Sequence, residues 1–189
     1  MKRLLLVLAA VASAWPALAA SLPIDVSPDA ISGSPLAQMD RTLGGDIWSM
    51  EWYWDDQRRV LRILLIKALQ PVKADLPPDT MESVTNIILQ GGPGDKADIR
   101  KEGDGTIEIW GGKAKWILGS GYVSNVSLFT TDEERQKATR GPERNYCVSF
   151  GWLSKNRQRA MNGTYCKVLP VGETTTAEAM LTALGLQFR

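Results

Sequence analysis

Apolar and polar residues alternate most clearly between positions 145 and 169, on both sides of the polar centre Ser154-Lys155-Asn156-Arg157-Gln158-Arg159. Alternation with a period of two marks a strand with one buried face. Folded about its centre, the stretch sets Cys147 opposite Cys166, Ser149 opposite Thr164 and Gly151 opposite Asn162. Directly opposed residues of an antiparallel ladder come within disulfide reach. The pattern therefore predicts a hairpin closed by a Cys147–Cys166 disulfide. One face carries Tyr146, Val148, Phe150, Trp152, Met161 and Tyr165, and the other carries the cysteines with small and polar residues.

The same rule reads residues 46–54 as a strand with Trp48, Met50, Trp52 and Trp54 on one face. A polar turn at 55–59 leads into an apolar run at 60–69 that reads two ways. Val60, Leu61, Leu64, Leu65, Ala68 and Leu69 fit a helix stripe, whereas Ile63 and Ile66 complete a strand buried on both faces. The aromatic density before the short turn favours the strand and a hairpin. Asp79 and Glu82 match a capping box, and Met81, Val84, Ile87 and Ile88 make one stripe, so a helix is expected at about 80–90 with Gly91 just past its end. Residues 97–130 read as a meander with turns at Gly103-Asp104-Gly105, Gly111-Gly112 and Gly119-Ser120-Gly121. The charged stretch 132–144 is expected to be loop, with a helical turn at 132–138. A second capping box, Thr175 with Glu178, opens a helix at 176–184 whose stripe is Ala177, Met180, Leu181 and Leu184, capped by Gly185. Its stripe is expected to pack on the aromatic face of the hairpin, continued by Leu186 and Phe188. Residues 21–45, rich in Ser, Pro, Gly and Asp, read as a loose N-terminal arm with a helical turn around 36–42. The sum is one α+β domain at 46–189, mainly antiparallel β-sheet with two helices and one hairpin disulfide.

Residues 1–20 change where this domain is expected to work. Met1-Lys2-Arg3, an apolar run at 4–12 and Ala17-Leu18-Ala19 have the form of a secretory signal peptide. The apolar run is too short to span a bilayer, and no later segment is a transmembrane candidate. Periplasmic or secreted localisation is expected, and it suits a structural disulfide. Removal of Lys2 and Arg3 takes the basic count from 22 to 20 against 21 acidic residues, a net charge near −1. That balance gives no electrostatic case for a nucleic-acid partner.

The chain has no histidine. This excludes Ser-His-Asp and Cys-His catalysis and histidine-held metals. No EF-hand or phosphate-loop spacing is present either, so neither a metal nor a cofactor is expected. What remains as candidate chemistry is a set of binding residues. The tryptophan row Trp48, Trp52 and Trp54 makes either a core face or, if exposed, a stacking platform for sugar rings. The hairpin tip carries Lys155, Arg157 and Arg159, three cations on a disulfide-braced projection suited to an acidic cleft. Carboxylates at Glu51, Asp55, Asp56, Asp104 and Glu108 are the candidates for acid–base hydrolysis of a polysaccharide. The expected function is a binding module for a protein partner or envelope glycan, an inhibitor or immunity-type protein being its most concrete form. A carboxylate-dependent hydrolase and a structural subunit of an envelope assembly are the competing expectations.

Overall fold

In the computed structural model, residues 22–31, 33, 35–53, 60–90, 98–124 and 140–189 are described. Seven strands form one antiparallel sheet. They are β2 (Leu36–Thr42), β3 (Gly45–Tyr53), β4 (Val60–Ala68), β5 (Arg100–Ile109), β6 (Gly112–Ser124), β7 (Arg140–Ser154) and β8 (Arg159–Pro170). Their spatial order is β2-β3-β4-β8-β7-β6-β5. A separate two-stranded pair joins β1 (Ile24–Asp25) to β9 (Gln187–Phe188). The two helices are α1 (Met81–Gln90) and α2 (Ala177–Leu184). The fold is α+β, and no helix among the described residues is long and apolar enough to cross a membrane.

The β7–β8 hairpin sits at the centre of the sheet with the register read from the sequence. Cys147 pairs with Cys166, Ser149 with Thr164 and Gly151 with Asn162. The disulfide is formed, with the two Cα atoms 4.1 Å apart. Because side chains alternate, Tyr146, Val148, Phe150 and Trp152 all project into the larger core, where Met161 and Tyr165 join them. The apolar stripe of α2 closes this core: Ala177, Met180, Leu181 and Leu184 are each 2 % exposed or less. Trp152 stacks on Phe188 with ring centroids 4.7 Å apart, extending the packing past the helix as expected. On the opposite face the cysteines pack against Val84 and Ile88 of α1. The sheet is thus covered on both sides, with a small disulfide core under α1 and a large aromatic core under α2.

Both helices begin one residue later than the capping boxes placed them. The hydroxyls of Thr80 and Thr176 accept from the amides of Ser83 and Ala179, at 3.3 and 3.2 Å. Asp79 has another role. Its amide donates to Ser149 Oγ (2.9 Å) and its carboxylate accepts from Thr164 Oγ1 (3.3 Å), pinning the start of α1 to the disulfide hairpin. Gly185 ends α2 in the left-handed region, as its position predicted. Gly91 and the segment 132–138 lie outside the described residues.

Other expectations are corrected. Residues 36–42 are an edge strand rather than a helical turn, because they ladder residue for residue against β3. The 60–69 run is buried on one face only: Leu61, Ile63 and Leu65 are core, whereas Leu64 is 42 % exposed. Two of the three glycine clusters lie inside strands instead of at turns, and only Gly111-Gly112 borders one. The strand glycines make room. A Cβ at Gly105 would lie 2.8 Å from the Trp116 ring, and one at Gly119 2.8 Å from Val84 of α1. Residues 140–144 belong to β7 and are not loop. Arg144 is accommodated there by an ion pair with Glu102 (2.9 Å) and by the rings of Tyr122 and Tyr146 beneath its guanidinium.

The disulfide closes a short loop, so replacing both cysteines (Cys147→Ala with Cys166→Ala) is expected to lower unfolding stability by about 3 kcal/mol. Urea denaturation of the two proteins checks this, and equal midpoints would show that the bond does not hold the fold.

Candidate functional site at the hairpin tip

The tip joining β7 to β8 does not project freely. Arg157 adopts a left-handed backbone (φ 58°), a costly conformation for a non-glycine residue that persists only where the surroundings enforce it. The enforcement comes from the linker between β4 and α1. Arg157 Nε donates to the Val72 carbonyl (2.7 Å), Nη2 donates to the Lys73 carbonyl (3.0 Å), and the Val72 amide donates back to the Arg157 carbonyl (2.8 Å). Its guanidinium also meets the Asp75 carboxylate at 3.4 Å. Lys115 reaches the same carboxylate at 3.1 Å. These two cations, Lys115 foremost, hold the Asp75 carboxyl below its ordinary value of 3.8. Farther along, the linker backbone at Leu76 crosses so close to Gly151 that any Cβ there would lie 2.0 Å from the Leu76 carbonyl oxygen.

The three tip cations therefore have different surroundings. Arg157 is engaged by the chain's own linker. Arg159 lies over the Phe188 ring, 5.3 Å from its centroid, and donates to the backbone oxygen of Arg189 (3.2 Å). Lys155 is exposed. A cleft of about 620 Å³ opens beside them at this end of the sheet. Lys67, Lys155 and Arg159 supply its charge, Trp110 and Phe188 its apolar surface, and Asn156 and Gln158 neutral hydrogen-bonding groups. Among the described residues that line it, none is acidic. A second cleft of about 220 Å³ on the other side of Lys155 also holds cations, but there Asp75 and Glu108 offset them.

Sequence reasoning passed over Trp110, Lys67 and Phe188. Trp110 is the detectable one, since it sits with Gly111 in the two-residue turn between β5 and β6. It occupies the left-handed region (φ 54°), where an aromatic residue is unusual, and its ring meets Phe150 edge-on at 5.6 Å. Nothing local points to Lys67 or Phe188, which reach the cleft only through strand pairing.

The tryptophan row is a core face where it is described. Trp52 is 4 % exposed and Trp48 is half-buried against the same core, so Trp52 is not available for stacking on a ligand. Trp54 lies outside the described residues, as do Asp55 and Asp56. The carboxylates do not assemble as a hydrolase pair. Glu51 on β3 and Asp104 on β5 are separated by five strand spacings, about 24 Å, against the 5–10 Å that a glycosidase needs. Asp104 and Glu108 lie four residues apart on one strand, about 13 Å along it. Asp104 is bound to Lys101 (2.5 Å) and Glu51 to Arg62. Glu51 does share a cleft of about 300 Å³ with Asp79, but Asp79 is held by Thr164. Among the described residues no cluster of His, Cys, Asp and Glu suited to a metal is found.

Because its pKa is lowered on folding, Asp75 contributes stability that is present above its ordinary value and lost as pH falls through the lower folded value. Protection of the linker amide of Val72 against hydrogen exchange is therefore expected to hold from neutrality to about pH 4 and to fail only below that. Asp75→Asn should abolish this pH step, and Arg157→Ala should remove the protection at every pH. A Val72 amide equally protected in both variants would show that the ion cluster does not hold the linker. No protein-family model matches the chain, and no curated protein sequence matches it significantly.

Proposed function

We propose that this chain is an exported binding module, periplasmic or secreted, that engages an envelope component through the open end of its sheet. The observation that carries the reading is the cleft beside the hairpin tip, where three cations and three aromatic residues, Trp110, Trp152 and Phe188, line a space with no acidic side chain among the described residues. Sites for ligands are concave, mostly pre-formed, and fall in this size range. The disulfide and the leader-like N-terminus support an oxidising compartment. The form of the binding surface follows from the tip contacts. An inhibitor or immunity-type wedge needs the tip as a free projection, and Arg157 is instead bound to residues 72–75. The tip is a wall of the site, and recognition takes place in the cleft beside it.

The test is capture from envelope extract with the oxidised protein, in parallel with a Lys67→Glu/Lys155→Glu variant that reverses two exposed charges. Retention of the captured species is expected to fall at least tenfold in the variant, since each reversed charge near a desolvated anion costs on the order of 1 kcal/mol or more. Equal retention by both proteins would overturn the assignment of the site.

A further inference from the structure

We infer that the cleft takes a carboxylated sugar unit of an acidic glycan. The inference rests on the reading of this cleft as the binding site and adds the chemical class of its ligand. Three features of the lining argue together.

The first is the placement of the cations. Arg159 lies over Phe188, its Cζ 5.3 Å from the ring centroid, and Phe188 in turn stacks on the buried Trp152 with an interplanar angle of 15°. A guanidinium held on a ring stack loses little side-chain freedom when it meets a carboxylate, and its planar fork suits the two oxygens of that group. Lys67 and Lys155, both exposed, add positive potential without fixed geometry. An anion is therefore received by one group placed over a ring and attracted by two exposed ones.

The second is the aromatic surface. Trp110 is half-buried, anchored at one edge by Phe150, and lines the same cleft. An inorganic anion gains nothing from an indole. A ring with an apolar face does, because its C–H surface leaves water against the indole. The turn backbone fixes the position of Trp110 in the left-handed region, at a conformational cost that glycine at this position would avoid.

The third is the neutral polar pair. Asn156 and Gln158 line the cleft, and the Asn156 amide donates to Gln158 Oε1 at 3.2 Å, which orients both groups. Carboxamides donate and accept at once, the property that hydroxyls of a sugar ring require. An acidic peptide segment offers carboxylates but has no call on a flat stacking surface beside paired carboxamides. The combination of a guanidinium placed over a ring, a half-buried indole and carboxamides matches a ring that bears a carboxylate and several hydroxyls.

The experiment titrates oligogalacturonate, maltohexaose and poly-glutamate into the oxidised protein and follows the indole N–H resonance of Trp110. Oligogalacturonate is expected to shift that resonance, with affinity reduced at least tenfold in Lys155→Glu and in Trp110→Ala, the latter read on the Gln158 side-chain amide. Maltohexaose at equal concentration is expected to leave the resonance in place. Trp110→Ala removes a contact with the core residue Phe150; Lys155→Glu, at an exposed position, keeps the test valid if that variant fails to fold. A Trp110 shift by poly-glutamate at equal affinity would overturn the sugar assignment and leave the cleft standing as a binding site for acidic protein segments. No response to any of the three would overturn the inference, while loss of capture in the Lys67→Glu/Lys155→Glu variant would still support the site itself. Binding of oligogalacturonate that survives Lys155→Glu unchanged would place the sugar elsewhere and overturn it as well.

Discussion

In the β7–β8 ladder, the register that sets Cys147 opposite Cys166 decides which side of the sheet every neighbouring side chain occupies. A slip of one residue would send Tyr146, Val148, Phe150 and Trp152 to the α1 face and the cysteines into the aromatic core. Because these are the central strands, β4 and β6 take their own registers from them: Leu61 lies beside Tyr165, and Trp116 beside Phe150. The disulfide and the alternation enforce the same register, one covalently and the other by burial. Agreement between the two levels is what makes a single arrangement much lower in free energy than its competitors.

Covering the α1 face imposes a different constraint. That face carries glycine, serine and threonine where the other carries aromatic rings, so little depth separates the sheet from whatever crosses it. Gly151 lets the linker backbone run directly over β7, and Gly119 seats the side chains of α1 over β6. A backbone this close to a sheet brings polar groups that need partners. Arg157, Ser149 and Asn162 provide them, the last by donating to the Pro77 carbonyl at 3.0 Å. The linker is thereby part of the sheet's structure, and the left-handed backbone of Arg157 is one cost of holding it.

The chemistry at the tip follows from that arrangement. With Arg157 drawn toward the linker, the remaining cations, Lys155 and Arg159, border the cleft on the far side, where the C-terminal strand delivers Phe188 and the β5–β6 turn delivers Trp110. The cleft has a net positive lining although the chain as a whole is close to neutral. Charge patterning at one end of a sheet can thus supply selectivity for an anion that overall charge does not suggest.

Local signals were enough for the hairpin disulfide, the pairing of β3 with β4, and both helices. Each rests on interactions between residues close in sequence, namely alternation within a strand, a threonine hydroxyl on a nearby amide, and a glycine closing a helix. The seven-strand order, the edge strand at 36–42 and the strand glycines were not legible, because each is explained by a partner far along the chain. Gly105 answers the Trp116 ring, Gly119 answers α1, and Leu36–Thr42 is a strand only because β3 lies beside it. The site divides in the same way. The sequence showed that Lys155, Arg157 and Arg159 sit together at a braced tip. Tertiary structure alone decided that Arg157 serves the linker, that Trp52 lies in the core, and that Trp110, Lys67 and Phe188 meet the tip in one cleft, since long-range packing and ion pairing leave no periodic trace in the chain.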